Sequence, residues 1–196
     1  TRRLDRLSEK DHQSFSEWFN LPFDSDGRKV CWISGKVGSG KSTLMKFSLE
    51  NPITRQRLGA SALVLSCFIW SAGQPVQRSL QGIVLSLLHQ LVTQDPTIAD
   101  TVLTNIPTIQ IERCNGDWSL IGLRTTIKSA LEAANRPVYI FIDGLDKLGS
   151  SKGPETVLDF VDELSGIDNL KLCIPSRPST LLSSTSREYY HYNFKT

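Results

Sequence analysis

At 196 residues the chain suits one domain and is long enough to bury a full α/β core. Its 22 Lys plus Arg against 20 Asp plus Glu leave a net charge of +2, which speaks against a nucleic-acid footprint or a membrane-surface role. The four cysteines include no C-x-x-C pair and so offer no zinc site, and Cys31, Cys67 and Cys173 lie in apolar runs as small hydrophobes. That usage fits a reducing, cytoplasmic setting. The polar N-terminus is no signal peptide, and the apolar run from Ala62 to Trp70 is too short to cross a bilayer.

In chain order, Leu4, Leu7, Asp11, Phe15 and Trp18 predict a helix over 4–19, followed by a polar turn from Pro22 to Arg28. Residues 1–28 are thus expected to be a helix and linker leading into a core of 29–196. Lys29–Ser34 reads as a short buried strand, and Thr43–Glu50 as a helix ended by Asn51-Pro52. Ala60–Trp70 is apolar nearly throughout, as a strand covered on both faces would be. Ser79–Val92 carries Leu80, Ile83, Val84, Leu87, Leu88 and Leu91 along one helical stripe. Gln81, Ser86, His89 and Gln90 fall mostly off that stripe. Pro96 is expected to open another helix, and 105–118 to be loop. Ser119–Ala134 is a further helix and Val138–Ile142 a third strand. After a Gly/Ser loop from Gly149 to Gly153 comes a helix with Val157, Leu158, Val161 and Leu164 on one side. Leu170–Ile174 is a fourth strand and Tyr189–Phe194 a fifth. This alternation predicts an α/β fold with crossover helices. The stop after the last strand-like run suggests a module of a longer product.

The most specific signal is Gly35-Lys36-Val37-Gly38-Ser39-Gly40-Lys41-Ser42, a full match to G-x-x-x-x-G-K-[ST] between a strand and a helix. Its glycines let successive N–H groups converge on one concavity, and the helix N-terminus favours an anion there. The expected phosphate-binding residues are Gly35, Val37, Gly38, Ser39, Gly40, Lys41, Ser42 and Thr43. Lys41 would reach the β- and γ-phosphates and Ser42 would ligate Mg2+.

The strand Val138–Ile142 delivers Asp143 to the carboxyl edge of the sheet, where open α/β sheets bind ligands. Asp143 is expected to hold Mg2+ opposite Ser42, usually through water; the competing reading is a cap on the Asp-Gly turn. Asp146 either orients water near the same edge or is a solvated loop carboxylate. Arg177, in Pro175-Ser176-Arg177-Pro178, is equally readable as a γ-phosphate contact or as a loop arginine.

These segments resemble a family. Trp32 to Lys46, Phe68-Ile69-Trp70, Gln77-Arg78-Ser79-Leu80, Phe141 to Asp146 and Ile174 to Pro178 are similar, in order, to NACHT domains of the STAND class of signalling NTPases. The nearest likeness is to the nephrocystin-like, fungal-type modules of NOD-like receptors. The resemblance implies a three-layer P-loop NTPase fold with a mostly parallel five-stranded sheet ordered 5-1-4-3-2. It implies ATP or GTP with Mg2+, Asp143 as the Walker B acid and Arg177 as a sensor. It also implies a nucleotide-driven switch in signalling or innate immunity, with effector and repeat domains of the same protein, and self-association on activation, as partners. Two positions depart from the pattern. Val37 replaces a proline, and Lys147 stands where the family carries the glutamate that polarises water. The expected function is therefore a nucleotide-binding switch with weak or no hydrolysis; the alternative is a productive ATPase that uses Asp146 instead. Without an Asn/Lys-x-x-Asp guanine motif the leaning is to adenine.

Overall fold

The computed structural model describes residues 17–23, 29–105, 119–148, 153–176 and 190–193; of Asp146, residues 153–155, Ser176 and 190–193 it describes the backbone alone. Five strands, β1 (Val30–Ser34), β2 (Leu63–Phe68), β3 (Val138–Asp143), β4 (Leu170–Ser176) and β5 (Tyr190–Asn193), form one sheet in the order β2-β3-β4-β1-β5. Every pairing is parallel. This is the expected order, counted from the opposite edge, and the sheet is parallel throughout.

The strands are apolar on both faces because both are covered. On one face Val30, Trp32, Leu65, Ile140, Ile142 and Leu172 pack under three helices: α3 (Leu80–Gln94), α5 (Leu120–Ala133) and α6 (Gly153–Ser165). On the other, Cys31, Ile33, Val64, Tyr139, Phe141 and Cys173 meet α1 (Lys41–Glu50), the short helix α2 (Pro52–Leu58), and Trp18 and Phe19 of the helical residues 17–20. Burying each such side chain contributes roughly 1.5–3 kcal/mol. A further helix, α4 (Ala99–Asn105), follows a short turn at Pro96–Ile98, as Pro96 predicts.

Several boundaries shift. α1 begins at Lys41 rather than Thr43, and β2 spans Leu63–Phe68 rather than 60–70. Trp70 leaves the strand and is 67% exposed. Pro52 does not only end α1; it is the first residue of α2, capped by the Asn51 side chain at 2.8 Å from the Ile53 N–H. Proline is well placed there because the first helical N–H has no intrahelical partner. The expected helix over 4–19 and the loop over 105–118 fall largely outside the described residues.

Candidate functional site

β1 is buried along its whole length, so the chain leaves the sheet next to its centre at Ser34 and turns over the carboxyl edge. The turn is made possible by two glycines with positive φ, Gly38 at 77° and Gly40 at 105°. The Ser39 N–H donates to the Lys36 carbonyl at 3.2 Å and closes the turn. The first helical bond of α1 runs from the Leu44 N–H to the Gly40 carbonyl at 2.8 Å, so the Ser42 and Thr43 amides precede it at the positive end of the helix. Val37 is 72% exposed on the crest, and Ser42 is exposed in the first turn. The Lys41 Nζ folds back beneath the loop and donates to the carbonyls of Gly35 at 2.6 Å and Lys36 at 2.9 Å, with the Ser39 Oγ at 3.4 Å. The lysine thus braces the loop whose crest it serves.

Asp143 ends β3 and is only 7% exposed. Phe141 aligns with Cys173, and Cys173 with Cys31, so Asp143, two residues further on, stands level with Ile33 at the root of the glycine loop. Two strand spacings separate β3 from β1, about 10 Å. Asp143 and the loop that leads to Ser42 therefore leave the same edge of the sheet. Beneath it, burial pushes the Cys173 thiol well above its usual range, with neighbouring Cys31 and Asp143 acting in the same direction. Such a thiol is a packing group rather than a nucleophile.

Gly144 follows with φ 85°, and a Cβ there would lie 2.8 Å from the Ile69 carbonyl oxygen. The chain then makes a short turn over Leu145–Lys147. The backbone of Asp146 sits in this turn; its side chain lies outside the described set. Lys147 donates to the Ile69 carbonyl at 3.2 Å. That contact points toward β2, on the side of β3 away from β1. β4 ends at Ser176, paired with Ser34 at the start of the loop; Arg177 lies outside the described residues.

One charged residue escaped the sequence reading. Lys171 is fully buried in β4, and its Nζ donates to the carbonyls of Trp18 at 3.1 Å, Phe19 at 3.3 Å and Leu21. A lysine inside an otherwise apolar strand was the available signal. Among the described residues there is no cluster of three or more His, Cys, Asp or Glu side chains and no helix long and apolar enough to cross a membrane.

The family model described as "Nephrocystin 3, N-terminal" matches residues 10–177. No curated protein sequence matches the chain. Among solved structures, Cdc6p from Pyrobaculum aerophilum is similar with a TM-score of 0.55 at 15% identity, over 96% of this chain and 46% of that one. The chain therefore spans under half the length of Cdc6p, and the likeness bears on fold alone. A putative ABC transporter ATP-binding protein from Pyrococcus furiosus gives a TM-score of 0.43 at 14% identity over 84% of each chain, too low to argue from.

Proposed function

The chain belongs to the Nephrocystin 3, N-terminal family, and from that premise we propose that it is a nucleoside-triphosphate-binding module, with ATP and Mg2+ as the ligand pair, serving as a switch with little or no turnover. The observation that carries this reading is the Gly35–Ser42 loop, held between a buried strand and a helix N-terminus with Asp143 across the same sheet edge. The residues suit the ligand. Gly38 and Gly40 adopt the left-handed conformations that turn backbone amides into one anion-binding concavity. Backbone groups from Gly35 to Thr43 would cradle the phosphates, and Lys41 would move from the loop carbonyls to the β- and γ-oxygens. Ser42 and Asp143 would hold Mg2+, which when bound neutralises phosphate charge.

Slow turnover rests on Lys147. A lysine offers hydrogen-bond donors where a glutamate would offer acceptor oxygens, and this one is engaged by the Ile69 carbonyl. The switch would then run on exchange, or on turnover assisted by a partner. Effector and repeat domains of a longer cytoplasmic protein, or a second copy, are the partners such a switch would address. Arg177 would act as the sensor of the γ-phosphate.

Calorimetry with ATP, with and without Mg2+, followed by phosphate release on the same sample, tests the reading. Tight binding that requires Mg2+, with negligible phosphate release, supports it. No binding overturns it, and rapid release moves the function to the ATPase that relies on Asp146.

A further inference from the structure

Among the described residues β2 is an edge strand, and side chains of α3 rather than another strand meet its outer edge. Its ladder to β3 begins with the Leu63 N–H on the Pro137 carbonyl and ends with the Ile69 N–H on the Asp143 carbonyl. Odd-numbered residues thus face β3, and the peptide groups of Val64, Ser66 and Phe68 face outward. Gln94 meets Val64 with both halves of its amide: the Val64 N–H donates to Oε1 at 3.2 Å, and Nε2 donates to the Val64 carbonyl at 2.9 Å. Gln90 repeats this at Ser66, at 2.9 and 2.8 Å. Four helical residues rise about 6 Å and two strand residues about 6.6 Å, so the carboxamides of α3 keep step with β2.

The next position in that series is Ser86, opposite Phe68. A serine is too short to repeat the contact, and the Ser86 Oγ already accepts from the Gln90 Nε2 at 3.2 Å. Where a third carboxamide would lie there is a cavity of about 310 Å³, lined by Phe68, Trp70, Gly82 and Ser86 among others. Among the described residues, neither the N–H nor the carbonyl of Phe68 has a hydrogen-bond partner. Gly82 lets the turn at Pro75–Arg78 close over α3, since a Cβ there would lie 2.0 Å from the Val76 carbonyl oxygen.

We propose that this bay binds a primary carboxamide, which takes the place of the missing third glutamine. Its carbonyl accepts from the Phe68 N–H, its NH2 donates to the Phe68 carbonyl, and its carbon skeleton lies against Cys67 and the exposed Trp70 ring. A carboxylate of the same size lacks the donor and would face the Phe68 carbonyl with negative charge.

The test is a titration of the 15N-labelled chain with propionamide and, separately, with propionate. Propionamide is expected to shift the Phe68 amide and Trp70 signals in a saturable way, and propionate to leave them in place. Ser86→Gln supplies the third glutamine internally. It is expected to slow exchange of the Phe68 amide proton and to weaken propionamide about tenfold or more. The Val64 and Ser66 amides, already capped, report that the fold is intact. Trp70→Ala, at an exposed position, weakens the amide should Ser86→Gln not fold. N-acetylglutamine N-methylamide binding more tightly than nicotinamide assigns the bay to a partner's glutamine side chain, and the reverse order to a free amide. An unmoved Phe68 signal, an equal response to propionate, or full affinity in a folded Ser86→Gln variant overturns the proposal.

Discussion

Three residues of the candidate site make different demands on the chain, and each yields a measurement. Lys41 is expected to supply a charge-assisted contact of about 1.5–3 kcal/mol to the phosphates. Lys41→Ala should weaken ATP at least about tenfold in calorimetry, and it also removes the brace on the Gly35 and Lys36 carbonyls. Unchanged affinity would rule out the loop as the phosphate site. For Asp143, truncation to alanine should erase most of the Mg2+ dependence of triphosphate binding; a mutant still tightened equally by Mg2+ would leave Asp143 as a turn residue only. Lys147 is the residue expected to limit turnover. Its replacement by glutamate restores a group able to orient water, so Lys147→Glu should release phosphate faster than wild type, which we place below about one turnover per minute, far under the 1–100 per second typical of kinases. The same substitution removes the bond to the Ile69 carbonyl, at a cost of about 1 kcal/mol that denaturation would register. A wild-type chain that hydrolyses several ATP per minute, with the glutamate variant no faster, contradicts the assignment.

Among the elements, the attachment of the N-terminal helical residues is the most unusual. They are held by Lys171, whose ammonium caps the Trp18, Phe19 and Leu21 carbonyls and lies 4.9 Å from the Phe23 ring centroid, 5.6 Å from Trp18 and 5.8 Å from Tyr139. Carbonyls at the end of a helix and aromatic faces both favour a cation. Burial opposes them and lowers the Lys171 pKa from 10.5 to about 8. Because the unfolded chain holds this proton up to higher pH, the Lys171 contribution to stability rises between about pH 8 and 10.5 and is flat below that window. Burial raises the pKa of Tyr139, which works in the opposite sense at high pH, so the comparison must be made against a Lys171 variant. Lys171→Met takes the ammonium away from the Trp18, Phe19 and Leu21 carbonyls and should cost about 1–3 kcal/mol in urea denaturation at pH 7.5. The gap to wild type should widen toward pH 10. A gap that stays constant or narrows would show that the lysine does not titrate in that window.

For the whole molecule, the parallel sheet covered on both faces explains how one short loop gains its position. Strands β3, β4 and β1 are buried by two hydrophobic clusters, and their carboxyl ends bring Asp143, Ser176 and Ser34 to one edge. A ligand bound there only in the native state must stabilise the entire fold. At a concentration one hundred times Kd the gain is about 2.7 kcal/mol. For a domain of this size that corresponds to a rise in Tm of roughly 5–10 °C. ATP with Mg2+ should produce this shift in thermal unfolding of wild type, and Lys41→Ala should lose most of it at the same concentration. An equal shift in both proteins would place the ligand elsewhere.

Much of this architecture is set by interactions between near neighbours in the chain, and those the sequence by itself determined. The apolar stripe of α3, the runs of β1, β3 and β4, and the glycine loop between β1 and α1 follow from helical and strand periods and from backbone freedom at Gly38 and Gly40. Asp143 was legible for the same reason, being the residue that an apolar strand hands to the sheet edge. Other features depended on partners distant in sequence. β2 stops at Phe68 because the ladder with β3 ends at Asp143, so Trp70 leaves the strand despite its apolar context. Gln90 and Gln94 look like solvated polar residues in a helical pattern, and only the fold brings them to strand residues 24 and 30 positions earlier. Lys171 meets the Trp18 carbonyl across 153 residues, and Lys147 meets the Ile69 carbonyl across 78. Hydrogen bonds of this kind carry no local period. They are decided when the sheet aligns its strands and the helices dock, because a buried donor or acceptor must then find whatever partner the packing brings within reach.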